Sequence, residues 1–301
     1  MTARADPSLI VSQPVALDRP SAGPPRRWRT VVVYALLIGY AVIMFTPFAW
    51  SVITSFKTLP DSVRLTIIPS PFTLAGWDYA FNALKPPLLR LFLNSAVIAT
   101  AVTLTNLALG SLAGYAFARL RFPGRETLFL IVLATLMIPD QVRLVPIYLL
   151  FNTLGLTRGL GQYVAVITIS AVAGTSIFLL RQYFLSIPRE LEEAARIDGA
   201  GFFTTFWRIM LPLAGPALSA VAILQFQGTW NQFFWPLIFM RDQNQYTIQV
   251  ALNYFRLAGG FTTNYPPLMA VVVMATLPVL ALYVFFQRYF VEGIAASGVK
   301  G

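Results

Sequence analysis

The sequence predicts an all-α polytopic membrane protein, with six transmembrane helices and a helical hairpin on the cytoplasmic side between the fourth and the fifth. Three observations predict it. The 301 residues are 57% apolar and 11% charged, with a mean hydropathy of +0.67, whereas soluble domains carry about 25% charged residues. The charges are segregated, leaving charge-free windows from Thr30 to Phe56, Leu91 to Ala118, Thr127 to Pro139, Gly159 to Leu180, Ile209 to Met240 and Leu257 to Gln287. Of the 22 Lys and Arg residues, 14 fall at the two ends and in segments 119–125 and 181–208, and 8 fall in the alternate segments. Positive residues face the cytoplasm, which places both termini and segment 181–208 there.

Taken in order, residues 1–29 are rich in proline and polar side chains and read as a disordered cytoplasmic tail. The apolar run after Arg29 is longer than the roughly 7–15 residues of a signal-peptide core and shows no small-residue cleavage site, so it is expected to remain as the first span. In a transmembrane domain of residues 30–290 the spans are expected at about 31–53, 91–116, 127–145, 160–182, 213–239 and 267–287. Every window but the third exceeds the ~20 residues needed to cross a bilayer. The third is completed by apolar 144–151, with its outer end bent at Pro139. Asp140 and Arg143 would each cost ~2.5–3.5 kcal/mol at mid-membrane, so they are expected near an interface. Asn94 and Ser95 open the second span, where Gly110, Ser111 and Gly114 are spaced for close helix packing.

Outside the spans, Lys57–Arg90 contains Pro60, Pro69, Pro71, Pro86 and Pro87 with Trp77 and Tyr79, and reads as an ordered loop on the outer surface. In the second outer segment, 241–267, Asn244, Gln245, Tyr246, Tyr254, Phe255 and Tyr265 either meet a partner or solute or form an interfacial belt. Residues 291–301 are a small-residue-rich cytoplasmic tail, expected to be extended from Glu292. The net charge of +10 reflects this topology and contact with the anionic lipid bilayer, and no nucleic-acid partner is expected.

The cytoplasmic segment 186–212 is the most informative stretch. It reads Glu193-Ala194-Ala195, two residues, Asp198-Gly199, nine residues, Ile209, one residue, Leu211-Pro212. Pro188–Ile197 is expected to be a short helix capped by Ser186, with Glu190, Glu192 and Glu193 at its positive end. Gly199 ends it and permits a sharp reversal into a second segment whose Phe202, Phe206, Ile209 and Leu213 face one side. Small Ala194 and Ala195 would let another protein approach closely.

The fifth span is the most polar, with Ser219, Gln225, Gln227, Thr229, Trp230, Asn231 and Gln232. Unpaired amides in hydrocarbon are costly, so these groups must face other helices or a water-filled path. Gln225, Thr229 and Gln232 share one helical face, Gln227 and Asn231 another. Either Gln225, Thr229, Trp230, Asn231 and Gln232 line a translocation path, or they join helix to helix.

The 193–212 spacing, together with TSFK at 54–57, AGYAFARLRFPGR at 113–125, MIPDQVRLVPIY at 137–148, GTWNQFFWPL at 228–237 and FQRYFVEGIAASGVKG at 286–301, resembles the permease subunits of ATP-driven ABC importers. The likeness is to the carbohydrate-uptake type, which includes the smaller maltose permease and the glycerol-3-phosphate permeases. It implies a type I importer architecture in which 186–212 is the coupling helix hairpin. It further implies coupling to an ATPase through Glu193, Ala194, Ala195, Asp198 and Gly199, with Gly199 permitting the turn and Ile209, Leu211 and Pro212 anchoring the segment against the membrane domain. The implied partners are a second, different permease, two ATPase subunits, an extracytoplasmic solute-binding protein and a sugar-like solute, all at the cytoplasmic membrane of a prokaryote.

The residues present exclude several other functions. Lys57, Lys85 and Lys300 are the only lysines and none follows a glycine, so the chain has no phosphate-cradling loop and ATP chemistry must come from a partner. With no histidine and no cysteine the common zinc ligand sets are missing, no thiolate site exists, and no catalytic residue, metal or cofactor is expected. The spans carry no carboxylate relay for a proton-coupled carrier, which disfavours a carrier working alone. No internal repeat is evident.

Overall fold

The computed structural model describes residues 27–258 and 264–298, with side chains as far as Phe286. The expected amino-terminal tail lies mostly outside them. Two units are distinguished, residues 1–48 and 49–301. In the first unit the described part is residues 27–48 of the first helix, α1 (Arg27–Ser55), which starts slightly before the expected tail ends. Its residues before Phe48 are exposed and almost wholly apolar.

The second unit is built on α2 (Leu88–Arg119), whose buried positions Leu91, Asn94, Ile98, Val102, Asn106, Gly110, Gly114 and Ala118 recur at three- and four-residue spacing. There follow α3 (Arg125–Thr135), α4 (Asp140–Thr153), α5 (Gly161–Ser170), α6 (Gly174–Ser186) and α7 (Glu190–Ile197). Next come α8 (Phe202–Leu213), α9 (Gly215–Trp230), α10 (Phe234–Phe239), α11 (Ile248–Ala258) and α12 (Tyr265–Gly298). Among the described residues, α1, α2 and Tyr265–Phe286 of α12 are each long and apolar enough to cross a membrane. The pairs α3–α4, α5–α6 and α8–α9 pass together but are bent by 99°, 43° and 75°. The chain thus has up to six spans. The last helix runs to Gly298, so the tail expected to be extended from Glu292 is helical there, continuing the α12 backbone hydrogen bonding.

Lipid offers no hydrophobic drive between helices, so close packing rests on small residues. A Cβ added at Gly110 would lie 3.2 Å from Ser176 Cβ, and one at Gly114 would lie 3.0 Å from the Arg181 backbone nitrogen. Contact at these two glycines brings α2 and α6 together. Near the start of α2, Asn94 Nδ2 donates to the carbonyls of Asn244 (2.9 Å) and Tyr246 (3.0 Å), and the Ile248 amide donates to Ser95 Oγ (2.8 Å). Asn94 and Ser95 therefore tie the second outer segment to α2. Gln245 Nε2 joins it to the carbonyl of Gly159. These residues of the expected partner-or-belt segment work within the chain.

The first outer loop is ordered around Lys57 and Asp61. Lys57 is buried over the Trp50 ring, and its Nζ donates to the carbonyls of Thr66 (2.5 Å) and Arg64 (3.3 Å). The Asp61 carboxylate accepts from Thr66 Oγ1 (2.9 Å) and the Ser70 amide (3.3 Å). The Thr66 hydrogen bond, then Ser70 and the charge of Lys57, hold Asp61 below its ordinary pKa of 3.8. A carboxylate with a lowered folded pKa contributes stability that is complete above its unfolded pKa and lost as pH falls through the folded one. Hydrogen exchange at the Ser70 amide should stay protected down to about pH 4 and rise below it. Asp61→Asn should abolish that acid transition, and an unchanged transition in the variant would assign it elsewhere.

Candidate functional site

The cytoplasmic hairpin is formed by α7 and α8. Gly199, at φ +81°, makes the turn between them, and an added Cβ there meets no neighbour, so its need for glycine is conformational. The helix begins at Glu190 rather than Pro188. Ser186 does not cap it: its hydroxyl donates back to the Tyr183 carbonyl (2.7 Å), because Ser186 is itself the last residue of α6. One face of α7 is buried through Glu192 and Ala195, while Leu191, Glu193, Ala194, Ile197 and Asp198 are exposed. Ile197, 87% exposed, and Phe203, 76% exposed, stand out as large apolar side chains on a polar segment.

The α8 segment does not present the face expected of it. Its residues Phe206–Met210 form a π-helical turn, which adds a residue to the turn and rotates the following side chains. Phe206 and Met210 are buried, against Tyr115, Leu180 and Phe184, while Phe202 and Leu213 are exposed. Phe206 with Met210 thus anchors the hairpin, joined by half-buried Leu211. Ile209 is half-buried outside that cluster and Pro212 is exposed.

A buried ion pair joins α7 to α2. Arg119 donates to the carbonyls of Phe184 (2.5 Å) and Ile187, closing the end of α6, and its Nε lies 3.7 Å from Glu192 Oε1. The two side chains are 3% and 8% exposed, and neither of those two atoms has a hydrogen-bond partner. Glu192, not Glu193, is thus the carboxylate that fastens the hairpin to the membrane helices. Sequence spacing placed both at the helix start, and only burial separates them.

The second feature is a polar cavity of about 560 Å³ where two helix breaks meet α9. The α3–α4 break at 136–139 and the α5–α6 break at 171–173 both open on it, and Gln225, Gly228, Thr229 and Gln232 supply the α9 side. Asp140 and Arg143 follow the α3–α4 break, paired with each other on the first turn of α4, and both line the cavity.

Sequence reading missed Asn106. Fully buried in α2, it donates through Nδ2 to the carbonyls of Val102 (2.9 Å) and Ser170 (2.8 Å) and accepts at Oδ1 from the Ala173 amide (2.8 Å) and Ser176 Oγ (3.0 Å). It supplies the bonds that the α5–α6 break removes. The available signal was an Asn in a charge-free span, a costly residue there without partners.

Residues 106–295 match the family described as binding-protein-dependent transport system inner membrane component. The chain belongs to that family. The arabinooligosaccharides transport system permease protein AraQ of Halalkalibacterium halodurans is 38% identical, with 92% of this chain and 99% of that protein covered. The diacetylchitobiose uptake system permease protein NgcG of Streptomyces coelicolor is 33% identical, covering 90% and 89%. The sn-glycerol-3-phosphate transport system permease protein UgpE of Yersinia enterocolitica is 32% identical, covering 87% and 94%. Among solved structures, a bacterial ABC transporter involved in the import of the acidic polysaccharide alginate contains a chain with TM-score 0.76 and 25% identity, over 88% of this chain and 97% of that one.

As an inner membrane component of a transport system, the chain is a multi-pass membrane protein and a transport subunit. Within it the five residues expected along the path divide. Gln225, Thr229 and Gln232 line the cavity together. Trp230 does not: it is buried on the opposite side, its Nε1 donating to the Ala275 carbonyl (3.0 Å) so that α9 is joined to α12. Asn231 is exposed and accepts from Gln249 Nε2 (3.2 Å).

Proposed function

We propose that this chain is one of two different permease subunits of an ATP-driven importer, carrying a sugar or sugar derivative across the cytoplasmic membrane of a prokaryote by alternating access. Its partners are the second permease, two ATPase subunits that hydrolyse ATP, and an extracytoplasmic solute-binding protein. The observation that carries the reading is the cytoplasmic hairpin: one face held by Arg119 and Phe206, the other offering Leu191, Glu193, Ala194, Ile197 and Asp198 with Phe202 and Phe203. That exposed face is the docking surface. Closure of the ATPase pair moves the hairpin as a rigid body, and the attached α6 and α9 reorient the path. Both termini lie in the cytoplasm. Relatives that handle arabinooligosaccharides and diacetylchitobiose support a sugar, while the glycerol-3-phosphate permease supports that solute as the second reading.

Two substitutions test the docking. Gly199→Pro would force φ to about −65° where the chain needs +81°, and Glu193→Lys reverses the exposed charge at the docking face. Each should reduce ATP-dependent uptake at least about tenfold while membrane insertion is unchanged. Since the chain has no cysteine, Ala194→Cys gives a single thiol, which should cross-link to an ATPase subunit in membranes. Wild-type uptake by both charge and turn variants, with no cross-link, would refute the assignment.

A further inference from the structure

The relatives divide on solute charge: the arabinooligosaccharides permease is named for a neutral sugar, the sn-glycerol-3-phosphate permease and the alginate transporter for anions. The cavity between α3, α5 and α9 bears on that division. We propose that it is a solute subsite carried by this permease itself, and that it takes an uncharged polyhydroxylated ring, such as a pentose or hexose unit of a neutral oligosaccharide. The proposal rests on the importer reading above.

Three features of the wall carry it. First, the volume of about 560 Å³ lies within the range of about 300–1,000 Å³ typical of small-molecule sites. Second, polar groups in the wall lack protein partners. Gln232 Oε1 and Arg143 Nε are buried with no hydrogen bond, and among the described residues the side chains of Gln225 and Thr229 make none. A buried polar atom without a partner is costly, and amides and hydroxyls can donate or accept, as a sugar's hydroxyls require. The same groups on an α9 face packed only against protein would be expected to bond across the helix interface.

Third, the wall is neutral. Asp140 and Arg143 are the only ionisable side chains lining it, and they are bonded to each other. A phosphate or carboxylate entering here would have to draw Arg143 away from Asp140 and then lie beside that carboxylate. Like charges at close range in a region of low dielectric repel strongly, and the site has no second cation to offset this. A hydroxyl-bearing ring can accept from Arg143 Nε and donate to the Gln232 amide oxygen without disturbing the pair.

The test uses the assembled importer in proteoliposomes, with ATP inside, its binding protein outside, and two labelled pools supplied in turn. One contains neutral pentose, hexose and N-acetylhexosamine oligosaccharides, the other sn-glycerol 3-phosphate, sugar phosphates and uronic acid oligosaccharides. Members of the neutral pool should accumulate with ATP. Accumulation from the anionic pool, or from neither, overturns the proposal, whereas failure of the chain to assemble with any ATPase overturns the importer reading instead.

Two variants then locate the subsite. An added Cβ at Gly228 meets no atom within 4 Å, so Gly228→Leu starts from open space, extends into the cavity and has better helix propensity. Uptake should fall at least about tenfold by steric exclusion, while the complex still co-purifies. In the otherwise cysteine-free chain, Gln232→Cys should react with a water-soluble thiol reagent, and the accumulated neutral sugar should slow that reaction about fivefold by occupancy. Labelling that the sugar leaves unchanged would show that the ring does not enter, and sinks the proposal even if Gly228→Leu assembles poorly.

Discussion

Replacing Asn106 by Leu should be among the most damaging single changes in this protein. The side chain bonds four groups, and two of them, the Ser170 carbonyl and the Ala173 amide, belong to the backbone at the α5–α6 break. Leucine is close in size, so the loss is one of hydrogen bonds rather than of volume. A buried backbone group left unpaired costs ~1–3 kcal/mol, so two of them predict a loss of about 2–6 kcal/mol. Asn106→Asp keeps the acceptor for Ala173 and Ser176 but loses the donor to Ser170, and adds a charge. It should be destabilised too. Denaturation of the purified protein in detergent measures this, and an Asn106→Leu variant within about 1 kcal/mol of wild type would mean the break is held by other contacts. Since the break also lines the cavity, uptake should fall even at temperatures where the variant stays folded.

Breaking the Arg119–Glu192 pair is the second large effect. Removing one partner of a buried pair leaves an uncompensated charge and costs about 3–5 kcal/mol, whereas replacing both by apolar groups is often close to neutral. Glu192→Leu should therefore be more damaging than Glu192→Leu combined with Arg119→Met. The double variant will not recover fully, because Arg119 also closes the carbonyls of Phe184 and Ile187 at the end of α6. A double-mutant cycle on stability gives the coupling. The functional readout is different: with the hairpin loosened, ATP hydrolysis by the assembled complex should continue while uptake per ATP falls, since the hairpin no longer moves α2 and α6 with it. Additive stabilities and wild-type uptake per ATP in Glu192→Leu would show the pair to be an incidental contact.

Much of the fold was legible in the sequence because membrane spans declare themselves by length and by the absence of charge. The hairpin was legible as well: Gly199 adopts the positive φ that its place after Asp198 implied. Among the readings that needed correction, two turned on what residue spacing cannot express. Phe202, Phe206, Ile209 and Leu213 were expected on one face, but a π-helical turn at Phe206–Met210 interrupts α8, and Phe206 is buried while Phe202 and Leu213 are exposed. Trp230 lies between Thr229 and Asn231 in sequence but points to α12.

By itself, then, the sequence determined the class of protein, the number of apolar segments, the segregation of the basic residues and the hairpin motif at 193–212, because these depend on composition and on spacing along one helix. Which of Glu192 and Glu193 is buried, what Asn106 bonds and where the unpartnered amides of α9 converge were decided only by the tertiary structure. They depend on groups far apart in the chain, 64 to 70 residues for Asn106 and the α5–α6 break, which the contact of α2 with α6 at Gly110 and Gly114 brings together.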